Sequence, residues 1–154
     1  MKEIAIEDKK RSPISWIPTL YFAMGMPFVV LKMVCTLMFK GLDVSDTQIA
    51  FWTSLIMLPW TLKPLWSPLL EMYKTKKFFV IVTQIATGCI FGLVALALHL
   101  PNFFALSIAL LAVIAFSGAT HDVAADGVYM ASLSKDAQAR YICWQGAVYN
   151  IAKI

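Results

Sequence analysis

The sequence predicts an all-α integral membrane fold with four complete transmembrane helices and part of a fifth. Three observations predict it. The chain of 154 residues is 60% hydrophobic and only 14% charged, whereas soluble domains average about 45–50% apolar and about 25% charged residues. The charges cluster in short links between apolar runs, and four of those runs reach the ~20 residues that a membrane helix needs. Lys and Arg also alternate between links, as they do in multi-pass proteins. A soluble four-helix bundle would need polar outer faces, and these runs are apolar nearly all round.

Residues 1–13 read as a polar cytoplasmic tail. Lys9, Lys10 and Arg11 imitate the start of a signal peptide, but the apolar run behind them far exceeds the usual h-region, about 7–15 residues. The run Ile14–Phe39 is therefore a retained first span, roughly 39 Å long as a helix and able to cross with tilt or a kink. Pro18 falls near its start, Gly25 and Pro27 mark a kink, and Lys32 is its one charge, beyond the midpoint. A tight turn from Lys40 to Asp46 follows, with Ser45 or Asp46 as the N-cap of the next helix. The second span, Thr47–Leu70, contains Pro59, Pro64 and Pro68 and one internal charge, Lys63. Glu71, Lys74, Lys76 and Lys77 lie in the second link. The third span, Phe78–Leu100, carries a Gly88–Gly92 pair that predicts close helix packing. His99 to Asn102 form a very short link without Lys or Arg. The fourth span is Phe103–Leu133, and a loop from Ser134 to Arg140 leads to a fifth apolar segment, Tyr141–Ile154, short of a full span. The chain thus reads as the N-terminal part of a larger helical bundle.

Lys2, Lys9, Lys10 and Arg11 in the tail, Lys74, Lys76 and Lys77 in the second link, and Lys135 and Arg140 in the fourth set the topology. The first link has only Lys40 and the third has no Lys or Arg, so the N-terminus is expected in the cytoplasm. The net charge of +4 is placed at span ends and not in a basic patch with aromatics. The bilayer, and not nucleic acid, is the expected partner. Cys35, Cys89 and Cys143 all lie in apolar runs at spacings that fit no metal or redox motif, and read as packing residues.

The most informative stretch is Phe116–Tyr129, FSGATHDVAADGVY. Asp122 and Asp126 are four apart and share a helix face. A carboxylate inside a membrane is expensive and is usually kept for function. The second and fourth spans run in the same direction, and Lys63 and the two aspartates lie at similar depth. An ion pair between Lys63 and one aspartate is therefore expected to be possible, and it would offset the expense of burying either charge alone. Lys32 sits in the opposite half of the membrane and is a poor partner. Three readings of the aspartates stay open: a proton-carrying group, a cytoplasmic gate, or residence among the headgroups. His121 points about 100° from Asp122 on the helix, so proton relay and hydrogen-bonded packing both remain open for it.

No enzyme is expected. Asp126-Gly127 resembles the start of the membrane phosphatidyltransferase motif D-G-x-x-A-R, but Met130 and Ala131 stand where Ala and Arg are required, and no aspartate pair follows. His121, Asp122 and Asp126 on one helical turn make a poor metal-ligand set. No catalytic residue, metal or cofactor is assigned.

Four motifs carry a resemblance: Leu20-Tyr-Phe-Ala-Met-Gly-Met-Pro27; Leu58-Pro-Trp-Thr-Leu-Lys-Pro-Leu-Trp-Ser-Pro-Leu-Leu-Glu71; Ser117-Gly-Ala-Thr-His-Asp-Val-Ala-Ala-Asp-Gly127; and Arg140 opening the fifth helix. In this order they make the chain similar to the AmpG-type permeases of the major facilitator superfamily, a group also similar to acetyl-CoA transporters. The resemblance implies a proton-driven symporter of twelve helices in two six-helix halves, of which this chain would be part of the first. It implies a bacterial inner-membrane location and, in AmpG-type members, import of anhydro-muropeptides. It places Lys63, Glu71, Asp122 and Asp126 in the cytoplasmic lock or in coupling, and Lys32 in the substrate cavity, with His121 as a second cavity candidate. The implied partners are a small solute, protons and the missing C-terminal half. Two positions depart from the family pattern: Met72 replaces the arginine that usually follows the acid at the second link, and His121 stands where glutamine is common. A small membrane scaffold or assembly subunit without transport activity is the alternative reading.

Overall fold

The computed structural model describes residues 12–72 and 75–154, the side chain of Glu71 excepted. The expected tail up to residue 11, the Glu71 side chain and Lys74 therefore lie outside the described residues. Every regular element among those described is helical: α1 Pro13–Val29, a π-helical turn Val30–Val34, α2 Cys35–Gly41, α3 Asp46–Ile56, α4 Leu58–Met72, α5 Lys76–Ala97, α6 Phe103–Ser132 and α7 Lys135–Ile151. Three of these helices, Pro13–Gly41, Lys76–Ala97 and Phe103–Ser132, are long and apolar enough to cross a membrane.

The first of them opens with Pro13 in its first turn, where the missing N–H is one the helix would leave unbonded anyway. It runs through α1, the π turn and α2 without a break. Asp43 then turns the chain with a positive φ of 58°, a conformation that a short polar side chain tolerates better than most. Ser45 caps α3, its Oγ accepting from the Gln48 N–H at 3.4 Å.

The expected second span is two helices, of 11 and 15 residues, that break at Met57. Pro59 explains the break. Without an N–H it cannot donate to Leu55, four residues back, and it is tolerated only in the first turn of a new helix. Pro64 and Pro68 stay inside α4.

α5 and α6, joined by a short turn, form the most extensive helix pair. Thr87 Oγ1 lies 2.9 Å from Ser117 Oγ, which in turn donates to the Thr83 carbonyl at 3.2 Å. α7 begins at Lys135, so the expected loop from Ser134 to Arg140 is helix instead. Ser134 caps it, with Oγ accepting from the Ala137 N–H at 3.4 Å. Gln138 closes the end of α6 by donating from Nε2 to the carbonyls of Met130 and Leu133.

Two apolar clusters flank the middle of α6. One gathers Leu31, Cys35, Phe39, Ile49, Ile56, Leu111, Ile114 and Ala115. The other gathers Ile17, Leu20, Tyr21, Val80, Ala124, Ala125 and Tyr129. Large aliphatic side chains also face outward, Leu65 and Leu69 on α4 and Ile81, Ile85, Leu93 and Leu96 on α5 among them. A surface this apolar suits lipid better than water.

The glycines redistribute an expectation. Gly88 and Gly92 face open space, with no atom within 4 Å of where a Cβ would stand. Close approaches occur instead at Gly25, where a Cβ would lie 2.7 Å from Ala152 Cβ and 3.0 Å from the Tyr149 carbonyl oxygen, and at Gly118 and Gly127 on α6. Gly25 thus lets α1 pack closely on α7, while the glycines that α5 carries meet no neighbour among the described residues. Likewise only Cys35 packs in a core; Cys89 and Cys143 are exposed.

Candidate functional site

The polar segment of α6 lies between the two apolar clusters, and its carboxylates tie three helices together. Asp122 is 1% exposed. Its Oδ2 accepts from Lys63 Nζ at 2.6 Å and from Trp60 Nε1 at 2.8 Å, both on α4. Asp126, one turn further, accepts through Oδ1 from Tyr21 Oη on α1 at 2.9 Å. The Tyr21 ring meets Tyr129 edge-on, with centroids 5.8 Å apart.

Gly118 makes the Asp122 arrangement possible. It stands one turn before Asp122 on the same face, and the Trp60 indole lies across it. A Cβ there would come within 3.1 and 3.2 Å of two indole carbons. With no side chain at 118, the ring comes this close and its N–H reaches the carboxylate. A buried indole N–H generally finds such a partner.

Asp122 Oδ1 has no hydrogen-bond partner among the described residues. Both donors therefore crowd one oxygen while the other remains bare. Such a group holds α4 against α6 while it is charged and loses its ion pair when it takes a proton. Lys63 keeps about a quarter of its side chain exposed, against 2% for Asp122, so the open side of the pair is the lysine's.

Asp126 is less enclosed. It lines a cavity of about 220 Å³ together with Ser67, Lys76, Gly127 and Met130. The Lys76 side chain crosses directly over Gly127, in contact with the position a Cβ would take.

Of the other residues singled out from the sequence, His121 is buried, and neither ring nitrogen has a partner among the described residues. Lys32 is exposed in the π turn, its Nζ 5.8 Å from the centroid of the Phe28 ring. It contacts neither aspartate. Arg140 is exposed in the second turn of α7. Lys63 and Asp122 are thus brought together, Asp126 joins through Tyr21 on a separate helix, and Lys32 stands apart.

Trp60, Tyr21 and Gly118 were not foreseen as site residues. The available signal was an aromatic side chain with a polar tip, in an apolar run, at the depth of the carboxylates. Comparison of the chain with family models, with curated proteins and with solved structures finds no match in any of the three.

Proposed function

We propose that the chain is part of a secondary active transporter, with proton-coupled solute uptake as its activity and these helices belonging to its N-terminal half. In this reading it sits in a bacterial inner membrane with the N-terminus in the cytoplasm. The observation that carries the reading is the buried Lys63–Asp122 pair, 2.6 Å long and braced by Trp60. An ion pair inside an apolar bundle is a weak source of stability but a good latch, because a single proton on Asp122 removes it. The family resemblance, which rests on the four sequence motifs, supplies the remainder: a lock between the second and fourth spans, and muropeptides as the substrate class to try first.

Uptake by the complete gene product tests the proposal, with labelled muropeptides, sugars and peptides offered across a proton gradient. Uptake of one class that collapses with the gradient is expected. Asp122→Asn, which keeps the size but not the charge, is expected to lower that uptake at least about tenfold, a change of ~1.4 kcal/mol or more in the governing step. Gradient-independent uptake, or none from any panel member, removes the reading. Reporter fusions in the 134–140 segment are expected to read cytoplasmic, and a periplasmic signal overturns the topology.

A further inference from the structure

We infer that Lys32 and Lys153, both set against the ring of Phe28, form a binding site for an organic dicarboxylate. Lys32 Nζ is 5.8 Å from the Phe28 centroid and Lys153 Nζ is 5.2 Å from it. Lys153 also stands 3.8 Å from the centroid of Tyr149. The aromatic faces attract the ammonium groups but leave their charge in place. Among the described residues neither lysine has a carboxylate within 4.0 Å.

Two positive charges on one ring repel each other and are unfavourable in an apolar setting. The fold nevertheless brings them together by specific means. Gly25 lets the end of α7 come down on α1, with Ala152 and Tyr149 in contact with it, and this close approach delivers Lys153 to Phe28. Lys32 arrives on the π-helical turn Val30–Val34, a rare geometry that recurs at functional sites. Both lysines are accessible, Lys32 exposed and Lys153 half-buried. A ligand with two carboxylates neutralises both at once, which one carboxylate cannot do. Phe28 also meets the Trp60 ring edge-on at 5.7 Å, so an occupant here touches the neighbour of the indole that holds Asp122. The site's purpose rests on the transport reading, but its test does not.

Isothermal titration of the purified complete gene product in dodecyl maltoside micelles, with isophthalate as the probe and benzoate as the single-carboxylate control, tests the site. Saturable isophthalate binding is expected, about tenfold or more tighter than benzoate. Lys32→Gln and Lys153→Gln are each expected to weaken isophthalate about tenfold and to erase its advantage over benzoate. Lys32→Arg and Lys153→Arg keep the charge and are expected to keep the preference, and Lys40→Gln, outside the cluster, leaves binding unchanged. Circular dichroism identifies a variant that has lost its helices, and the arginine pair then decides. Absent isophthalate binding, no preference over benzoate, or binding indifferent to both glutamine variants overturns the site. Loss of binding with gradient-driven uptake intact removes this inference alone; binding without any uptake removes the transport reading alone.

Discussion

Asp122 and Asp126 stand one turn apart on the same helix, yet they have unlike surroundings. Asp122 is sealed, with one oxygen gripped by an ammonium and an indole N–H and the other bare. Asp126 accepts from a phenol and borders a cavity that Lys76 also lines. The difference follows from which helix supplies each hydrogen bond: α4 brings Lys63 and Trp60 to the first, and α1 brings Tyr21 to the second. Burial with a cation makes a group that holds helices together. Burial beside a neutral donor and a cavity leaves a group open to exchange with small species.

The largest effect is expected where this contrast is greatest. Lys63→Met leaves the Asp122 carboxylate buried without its counter-charge. Loss of one partner of a buried pair generally destabilises by about 3–5 kcal/mol. Chemical unfolding in mixed micelles reads that loss. The double variant Lys63→Met, Asp122→Leu is expected to recover most of it, because an apolar pair of similar volume often replaces an ion pair at little expense. A double variant as unstable as the single one would mean that the pair is not what Lys63 contributes.

Trp60→Phe comes next. It preserves a ring over Gly118 but removes the N–H that reaches Asp122. Hydrogen bonds to charged groups contribute about 1.5–3 kcal/mol, and a loss in that range is expected by the same unfolding measurement. An unchanged midpoint would show that Lys63 alone holds the carboxylate, which sharpens the distinction between the two aspartates.

The sequence already allowed an ion pair between Lys63 and one of the two aspartates, because depth can be counted along alternating apolar runs. It could not choose between Asp122 and Asp126, since both project from one face. Helix packing made that choice. The second span looked equally vulnerable at three prolines, but only Pro59 coincides with a break, while Pro64 and Pro68 remain within α4. Glycine spacing misled at Gly88 and Gly92, which face open space, whereas Gly25, Gly118 and Gly127, outside that pattern, mark the close approaches. Those approaches depend on which helix arrives from elsewhere in the chain. Local spacing does not encode that, and nothing in the sequence around Lys153 tells that α7 sets it against α1.

Asp126→Asn is expected to have the smallest effect on stability and to sharpen the comparison most. The amide oxygen still accepts from Tyr21 Oη, and the cavity beside residue 126 accommodates the added hydrogens. A change within about 1 kcal/mol is expected, near the net worth of one ordinary hydrogen bond. Under the transport proposal, uptake responds differently if Asp126 carries the proton. An amide cannot take up and release one, so gradient-driven accumulation is lost while downhill exchange of the same solute persists. Asp122→Asn, by contrast, weakens the latch and disturbs both. Loss of accumulation with exchange preserved in Asp126→Asn, set against loss of both in Asp122→Asn, separates a proton carrier from a latch. Equal behaviour of the two variants would make the pair one functional unit despite their different surroundings.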